Sequence, residues 1–287
     1  MPEMPEVEGL RAFLDAHLTG RTITRAELAA FSALKTFNLP LSALVGLEVS
    51  GVTRQGKFLL VATDGVHLAF HLARAGWLRW YETPPATAAR PGKGPIALRM
   101  VFDDEVGFDL TEAGTQKKLA LYVVADPAEV PGISSLGVDP MADGFTADAF
   151  AGVLAEHART QVKGLLRDQR VFAGIGNAYS DEILHAAKLS PFKPASGLSP
   201  RERMALLAAI KGELQDAIER SAGLAASDLK GEKKSGLRVH GRAGEPCEVC
   251  GTTIAEVSFA DSSLQYCPGC QTGGKPLADR RMSRLLK

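Results

Sequence analysis

The stretch Cys247–Cys270, CEVCGTTIAEVSFADSSLQYCPGC, holds all four cysteines of the chain, as two C-x-x-C pairs separated by sixteen residues. This spacing is typical of a tetrahedral site in which four thiolates bind zinc. Each pair needs a tight turn that brings its sulfur atoms to one point, and Gly251 and Pro268-Gly269 favour such turns. The alternating residues between the pairs predict a β-hairpin. We therefore expect a finger that binds one structural Zn²⁺ through Cys247, Cys250, Cys267 and Cys270.

Clustered cysteines can also form two disulfides or a redox centre. The absence of any other cysteine from the sequence, together with an N-terminus that does not look secreted, argues against the disulfides. Four thiolates leave no open coordination position, so the expected metal is structural and not catalytic. A finger with so little core would take its folding free energy from the metal.

The composition describes an ordinary globular protein. Its 287 residues are 45% apolar and 23% charged, which suffices to bury a full core and favours two domains over one. The opening MPEMPEVEGLRAFL lacks the basic and apolar regions of a signal peptide, and no apolar run reaches the roughly 18 residues of a membrane span. We expect a cytoplasmic monomer that does not contact a membrane.

The overall charge gives no support to nucleic-acid binding, because the formal net charge is zero and phosphate contacts need lysine and arginine. A basic segment nevertheless precedes the cysteines, with Lys230, Lys233, Lys234, Arg238 and Arg242 close together. It can be interpreted as a nucleic-acid contact or as an ordinary solvated loop, and the charge pattern does not decide between them.

The remaining segments predict an α+β chain of several domains. An opening helix over about residues 5–17 precedes a strand-rich region over 21–124, which indicates an antiparallel sandwich or barrel. A stretch containing proline and glycine leads to a helical region, whose clearest start is the capping box Ser199-Pro200-Arg201-Glu202. We expect shorter helices near residues 149–156, 161–167 and 177–188, and a loop between the last long helix and the cysteines.

The N-terminus offers an unusual nucleophile. Met1 precedes a proline, whose small side chain permits removal of the initiator methionine, and removal would expose the secondary amine of Pro2. An α-amine has a pKa of about 7.7–8.0, so it is partly unprotonated at neutral pH. Glu3 and Glu6 stand beside it, as an acid–base pair would. The alternative is that proline and glutamate only suit the first turn of a helix.

The segment Gly174-Ile175-Gly176-Asn177 is similar to part of a dinucleotide-binding loop. However, Tyr179 stands where that loop needs glycine, and no strand precedes the segment. A turn that opens a helix at Asn177 is the better interpretation, and the backbone amides at such a helix start can bind phosphate. Taken alone, this segment does not identify a ligand.

Five separated motifs follow one another along the chain. They are PEMPEVE at 2–8, RQGKFLL at 54–60, DQRVFAGIGNAYSDE at 168–182, VHGRAGEPC at 239–247 and the four-cysteine finger. Together they resemble the formamidopyrimidine-DNA glycosylase/endonuclease VIII family of base-excision enzymes, over essentially the whole chain and with Met4 where leucine or glycine is common. The resemblance implies four segments: an N-terminal antiparallel β-sandwich with flanking helices over residues 2–130, a linker over 131–145, a helix-two-turn-helix DNA-binding domain over 146–237, and the zinc finger with a C-terminal tail over 238–287.

The resemblance also implies a DNA glycosylase with AP lyase activity. Pro2 would attack the anomeric carbon of a flipped-out damaged nucleoside and form an iminium. Glu3 would protonate the sugar and open its ring, and Glu6 would help to move protons. Because an iminium is an electron sink, elimination of the 3′ phosphate would follow and nick the strand.

By the same resemblance, Lys57 belongs to the catalytic residues and, with Asn177, would hold phosphates of damaged DNA around the flipped nucleotide. His71 is a further candidate for DNA binding, and a core histidine in a strand is its alternative. Such an enzyme would act in the cytoplasm, at the nucleoid of a prokaryote. The competing functions are a family member that binds damaged DNA without excision and an RNA-binding zinc-finger protein, which would leave the acidic N-terminus unexplained.

Several positions depart from the family pattern. Ser262 stands where the finger carries an arginine, and Thr111 and Ala113 stand where purine-excising members carry an arginine and a phenylalanine that probe the base stack. Arg74 replaces a void-filling methionine, and the loop over about residues 223–237 is short for a base-capping lid. The residues for the chemistry are kept, whereas those that read the duplex are not. We therefore expect a preference for abasic, unstacked or single-stranded lesions.

Overall fold

The computed structural model describes residues 1–92, 94–259 and 262–278, which form two compact units. Unit 1 consists of Met1–Leu136 and Arg220–Glu232, and unit 2 consists of Gly137–Glu219 and Lys233–Lys287. The tip of the predicted hairpin, residues 260 and 261, and the end of the predicted C-terminal tail, residues 279–287, lie outside the described residues. Within that part of the chain, none of the helices combines the length and apolar character needed to cross a membrane.

Unit 1 is a sandwich of two four-stranded antiparallel sheets, ordered β2-β3-β4-β8 and β1-β6-β7-β5. The strands are β1 (Ile23–Leu28), β2 (Val49–Gln55), β3 (Phe58–Thr63), β4 (His67–His71), β5 (Gly76–Tyr81), β6 (Ile96–Phe102), β7 (Gly107–Glu112) and β8 (Ala120–Val124). Apolar side chains of both sheets form one core, in which the rings of Phe70 and Phe108 lie 6.3 Å apart. The predicted sandwich is confirmed and the barrel is not formed, because the strands make two separate sheets.

Helix α1 (Met4–Leu18) lies against β2, and its apolar face joins the sandwich core. The Asp15 carboxylate accepts a hydrogen bond from the amide of Val52 at 2.8 Å. Two residues further along β2, Arg54 Nε lies 2.8 Å from the carboxylate of Glu8. The residue numbers of the helix fall as those of the strand rise, so the two run in opposite directions. The first turn of α1 therefore points toward the end of β2 that leads into β3.

The turn from β2 to β3 has two residues, because Gln55 pairs with Phe58. Gly56 has φ of +57°, and Lys57 is not among the residues with positive φ. Glycine at the first central position is typical of a type II′ hairpin turn, whose twist suits the flanking strands. The turn thus holds Lys57 at the tip of the hairpin.

Unit 2 contains the helical region that the sequence predicts. Its helices are α3 (Ala147–Glu156), α4 (Val162–Arg167), α5 (Asn177–Ala186) and most of α6 (Pro200–Ser221), whereas the short α2 (Pro131–Ser134) belongs to unit 1. The capping box is confirmed: the Glu202 amide donates to Ser199 Oγ at 3.3 Å, and the Ser199 amide donates to the Glu202 carboxylate at 2.9 Å.

The segment after α6 differs from the predicted loop, because it contains helix α7 (Leu229–Gly236). Leu229 is buried in the sandwich core, and Trp77 Nε1 donates to the carbonyl of Ala226 at 3.0 Å. The Lys230 ammonium lies 4.6 Å from the centre of the Trp77 ring. A short polar sequence such as LKGEKKSG gains its helical stability from these tertiary contacts, which a local pattern does not reveal.

The cysteine-rich segment forms the predicted hairpin. Strands β9 (Ala255–Ser258) and β10 (Ser263–Tyr266) pair antiparallel, and the one-turn helix α8 (Pro268–Gln271) follows. One C-x-x-C pair precedes β9 and the other follows β10. Because the two strands run antiparallel, the hairpin brings the second pair back beside the first.

Candidate active site and metal centre

Pro2, Glu3 and Glu6 are all buried at the start of α1. The carboxylate of Glu6 accepts a hydrogen bond from the Glu3 amide at 2.7 Å, which is one bond of a capping box. The glutamates thus do contribute to the helix start. Their exposed fractions are only 2% for Glu3 and 1% for Glu6, and a glutamate is rarely buried so fully without a partner or a chemical role.

Lys57 and His71 meet at one end of the same sheet. Lys57 is only 6% exposed at the tip of the β2–β3 turn, and Phe58, which follows it, pairs with His71 across β3 and β4. The rings of Phe58 and His71 lie 4.8 Å apart. Since the first turn of α1 points to this turn, unit 1 carries Pro2 and its two glutamates at this same end.

The hydrogen bonding of His71 determines which nitrogen can bind a ligand. Its Nδ1 accepts a hydrogen bond from the backbone amide of Ala73 at 3.1 Å. Burial, and to a smaller extent the charge of Lys57, lower the pKa of His71 to about 4. The imidazole is therefore neutral at pH 7, with its proton on Nε2.

The loop that follows β7 reaches the same end, because Ala120 at the start of β8 pairs with His71. The buried carboxylate of Glu112 accepts hydrogen bonds from the amides of Lys118 and Leu119, at 2.8–3.1 Å, and so closes the loop. Sequence analysis missed this role, for which the local sequence gives no signal. Thr111 Oγ1 donates to the carbonyl of Trp77 at 3.3 Å, so its side chain is engaged inside the sheet.

In unit 2, Asn177 lies at the first position of α5, after a turn in which Gly174 has φ of +96°. Gln169 holds this turn: its side chain accepts from the Gly174 amide at 3.0 Å and donates to the carbonyl of Ile175 at 2.6 Å. Asn177 Nδ2 donates to the carbonyl of Ser263 in β10 at 2.7 Å. Asn177 therefore joins the helix start to the finger hairpin.

A buried lysine, Lys163, contacts the first half of α5, and sequence analysis also missed this role. Lys163 Nζ lies 2.6 Å from Oδ1 of Asp181, 2.7 Å from Ser180 Oγ and 3.3 Å from the carbonyl of Asn177. The other oxygen of Asp181 lies 2.7 Å from Nδ1 of His240. This network connects α4, α5 and the segment that enters the finger.

The neighbouring Glu182 fixes that segment directly. Its carboxylate accepts from three consecutive amides, those of Arg238 at 2.9 Å, Val239 at 3.0 Å and His240 at 2.8 Å. Burial raises the pKa of Glu182, and the three amide bonds oppose that rise. The acidic pair at the end of the DQRVFAGIGNAYSDE motif thus has a structural task within unit 2.

The four cysteines fit a zinc ion. The sulfur of Cys247 lies 3.9 Å from that of Cys270, and the sulfur of Cys250 lies 3.3 Å from that of Cys267. Zn–S bonds of about 2.3 Å in a tetrahedron correspond to sulfur separations of about 3.8 Å. The finger holds one structural zinc, for which these four thiolates are the candidate ligands. A residue outside the motif also lies here, because His185 Nε2 is 3.3 Å from the sulfur of Cys247.

Three family models match the chain. They describe the formamidopyrimidine-DNA glycosylase N-terminal domain, over residues 1–116, the formamidopyrimidine-DNA glycosylase H2TH domain, over 136–228, and a zinc finger found in FPG and IleRS, over 244–273. The fold and the finger that the sequence resemblance implied are therefore confirmed.

Individual relatives agree with these models. A formamidopyrimidine-DNA glycosylase of Pelotomaculum thermopropionicum is 34% identical over 284 residues, which cover 94% of this chain and 99% of the relative. An uncharacterized formamidopyrimidine-DNA glycosylase-like protein of Mycobacterium tuberculosis is 57% identical over 160 residues, 56% of this chain and 99% of that protein. The crystal structure of the Lactococcus lactis enzyme, bound non-covalently to DNA containing an AP site, is 27% identical with a TM-score of 0.80, covering 94% of this chain and 99% of the other.

Proposed function

The chain belongs to the formamidopyrimidine-DNA glycosylase family of DNA-repair enzymes, and we propose that it is a bifunctional glycosylase and AP lyase with Pro2 as nucleophile. The observation that carries this proposal is the burial of Glu3 and Glu6 directly beside Pro2. Two carboxyl groups shielded from water can exchange protons with a substrate held at the N-terminal amine. The nucleophile is the secondary amine that removal of Met1 would expose, and the small side chain of Pro2 permits that removal.

In the proposed reaction, the lone pair of the Pro2 nitrogen attacks C1′ of the damaged nucleoside. The glycosidic bond breaks, and the base leaves with its electron pair and takes up a proton, while the Pro2 nitrogen loses the proton that it carried as a secondary amine. Glu3 donates a proton to O4′, the sugar ring opens, and an iminium forms between Pro2 and C1′. Glu6 assists the removal of a proton from C2′, and the C–H electrons neutralise the iminium to give an enamine. The enamine electrons then break the C3′–O bond and expel the 3′ phosphate, which leaves a conjugated iminium. Water then releases the sugar fragment and regenerates the amine.

Phosphate contacts with DNA are proposed for each unit separately. We assign Lys57 and His71 of unit 1 and Asn177 of unit 2 to phosphate contacts. A neutral His71 offers only an Nε2–H donor, whereas Lys57 offers a charge, so their contacts differ in kind. The zinc takes no part in the chemistry, since four thiolates leave no position for water or substrate. We further propose that the protein acts as a monomer on chromosomal DNA in the cytoplasm of a prokaryote.

The substrate class follows from the positions that would probe the duplex. Lifting a base from the stack costs a few kcal/mol, and the cost is lowest for mismatched, damaged or single-stranded bases. Inserted side chains can fill the gap that the base leaves. Ala113 is too small to do so, and Thr111 bonds to a main-chain carbonyl of the sheet. We propose that abasic sites and lesions already unstacked are the preferred substrates.

Borohydride trapping on an oligonucleotide with an abasic site tests the nucleophile. Reduction of the iminium should join Pro2 covalently to the DNA, and peptide mass mapping should find the adduct on that residue. A variant that retains one additional residue before Pro2 should form no adduct. An adduct undiminished in that variant would reject Pro2 and direct attention to Lys57.

A damaged-DNA-binding protein without excision is the second candidate, and the replaced positions Thr111, Ala113 and Ser262 favour it. It predicts binding to abasic DNA by the mature protein with neither an adduct nor a nick. Trapping and binding measured on the same sample therefore separate the two functions.

A further inference from the structure

A histidine outside the four-cysteine motif faces the zinc centre. His185 lies in the last turn of α5 and is only 4% exposed. Its Nε2 and the sulfur atoms of Cys247, Cys267 and Cys270 all lie within 4.8 Å of one another. Cys250 does not belong to that group of four, but its sulfur lies 3.3 Å from that of Cys267, so it is a fifth candidate donor. Structural zinc sites are almost always four-coordinate.

The geometry indicates which donor stays outside the coordination shell. The sulfurs of Cys250 and Cys267 lie 3.3 Å apart and those of Cys247 and Cys270 lie 3.9 Å apart. Both distances are near the separation of about 3.8 Å for two thiolates on one zinc, so the two C-x-x-C pairs can supply all four ligands. His185 Nε2 lies 3.3 Å from the sulfur of Cys247, which is a suitable distance for an N–H group that donates to sulfur. We propose that His185 is a positioning residue of the zinc centre, whose Nε2–H donates a hydrogen bond to the zinc-bound thiolate of Cys247.

Such a bond has a clear electrostatic purpose. Four thiolates around Zn²⁺ carry a formal charge of −2, and the centre is partly enclosed by protein. A donor to one sulfur disperses this charge and orients that ligand, as outer-shell partners do in other metal sites. Removal of such partners typically lowers metal affinity by about 10–100-fold.

His185 is the last member of a polar stripe on α5. Asn177, Asp181 and His185 are spaced four residues apart, so they share one face of the helix. All three contact the finger region: Asn177 donates to Ser263, Asp181 accepts from Gln265 and contacts His240, and His185 reaches Cys247. The helix whose start is proposed to bind phosphate is thereby attached to the metal centre at its other end. The link to DNA rests on the proposed function. The hydrogen bond between His185 and Cys247 rests on the contact distance alone.

The test measures zinc loss from the full-length protein to a chromogenic chelator. His185→Phe keeps a buried aromatic ring but removes the donor, and we expect its zinc affinity to fall by about 10–100-fold. His185→Gln offers an N–H near the position of Nε2 and should recover most of that loss. His157→Phe, at a partly exposed histidine of the same unit that follows α3, should match the wild type.

Cobalt substitution distinguishes a hydrogen bond from direct coordination. The sulfur-to-cobalt charge-transfer bands should report four thiolates in both the wild type and His185→Phe, with a shift in energy between them. Bands for three thiolates and one nitrogen in the wild type would overturn the proposal, as would unchanged zinc loss in a folded His185→Phe. If His185→Phe does not fold, zinc loss from His185→Ala and His185→Gln is compared instead, and equal values would overturn it. Borohydride trapping reports on Pro2 separately, so this result does not depend on the glycosylase assignment.

Discussion

The ammonium of Lys163 lies 2.6 Å from the carboxylate of Asp181, and both side chains are buried. Lys163 adds bonds to Ser180 Oγ and to the carbonyl of Asn177, so it supports the first turn of the helix that is proposed to bind phosphate. A buried ion pair is not in itself strongly stabilising, but removal of one partner leaves an uncompensated charge. Removal of either partner should therefore lower the free energy of unfolding by more than the intact pair contributes to it.

We expect Lys163→Met to lower the free energy of unfolding by about 3 kcal/mol, at the low end of the range for broken buried pairs because Asp181 keeps its contact with His240. Urea denaturation followed by circular dichroism measures the change. The exposed pair of Arg170 with Asp168 supplies the control, since Arg170→Met should leave the midpoint almost unchanged. Equal midpoints for both variants would contradict the assigned importance of the buried pair.

The charge states of Lys57 and His71 predict different responses to salt. Lys57→Ala should lower the affinity for abasic DNA and reduce the slope of log K against log salt by about 0.9, because one counterion-releasing contact is lost. His71→Gln should lower the affinity without changing the slope at pH 7, since the neutral ring releases no counterion. Fluorescence anisotropy over a salt series measures both. A reduced slope in His71→Gln would show that the ring binds DNA as a cation.

The pKa of His71 also predicts how stability depends on pH. The folded protein holds this group near pKa 4, against 6.5 for the unfolded chain, so below pH 6.5 the unfolded chain binds a proton that the folded protein excludes. Stability that is fully present above pH 6.5 is therefore lost progressively as the pH falls toward 4. His71→Gln should lose less stability than the wild type between about pH 7.5 and pH 5. Identical losses in urea titrations would contradict the shift.

Loss of zinc should separate DNA binding from chemistry. Cys247→Ala removes one thiolate, and we expect a protein without bound zinc and with weaker binding to abasic DNA. Because Pro2 belongs to unit 1, borohydride adducts should still form at high DNA concentration. Val249→Ala, at an exposed position between two cysteines, is the matched control and should keep its zinc. Full DNA affinity in a zinc-free Cys247→Ala protein would refute the role of the finger.

Substrate preference can be tested in both directions. Single-turnover measurements should show faster action on an abasic site, in duplex or single strand, than on oxidised guanine paired with cytosine. Ala113→Phe should raise the rate on the paired oxidised guanine, because an aromatic side chain can fill the space of the flipped base. Ala88→Phe, at an exposed alanine elsewhere in unit 1, should not. Wild-type protein that acts fastest on the paired oxidised guanine would reject the preference.

Local signals explain what the sequence could predict. The capping box at Ser199 depends only on neighbouring residues. The spacing of the four cysteines is by itself typical of a tetrahedral zinc site. The roles of Lys163, Glu112 and His185 depend on partners that only the folded chain brings near, such as Cys247, 62 residues beyond His185. Helix α7 was missed for the same reason, since a buried Leu229 rather than a local pattern stabilises it. The local sequence offered Pro2 and Glu3 as candidates but could not exclude a plain helix start, and the family resemblance decided between the two interpretations.

The three amides bound by Glu182 have a consequence for the dynamics of the finger. Residues 238–240 lie outside the strands and helices, yet their N–H groups donate to the carboxylate of Glu182, which is buried in α5. Their hydrogen exchange should consequently be as slow as that of α5 itself, and the two segments should open together as one cooperative unit. Loss of the metal from the two C-x-x-C pairs would then speed up hydrogen exchange in α5 as well, without any change in the average fold.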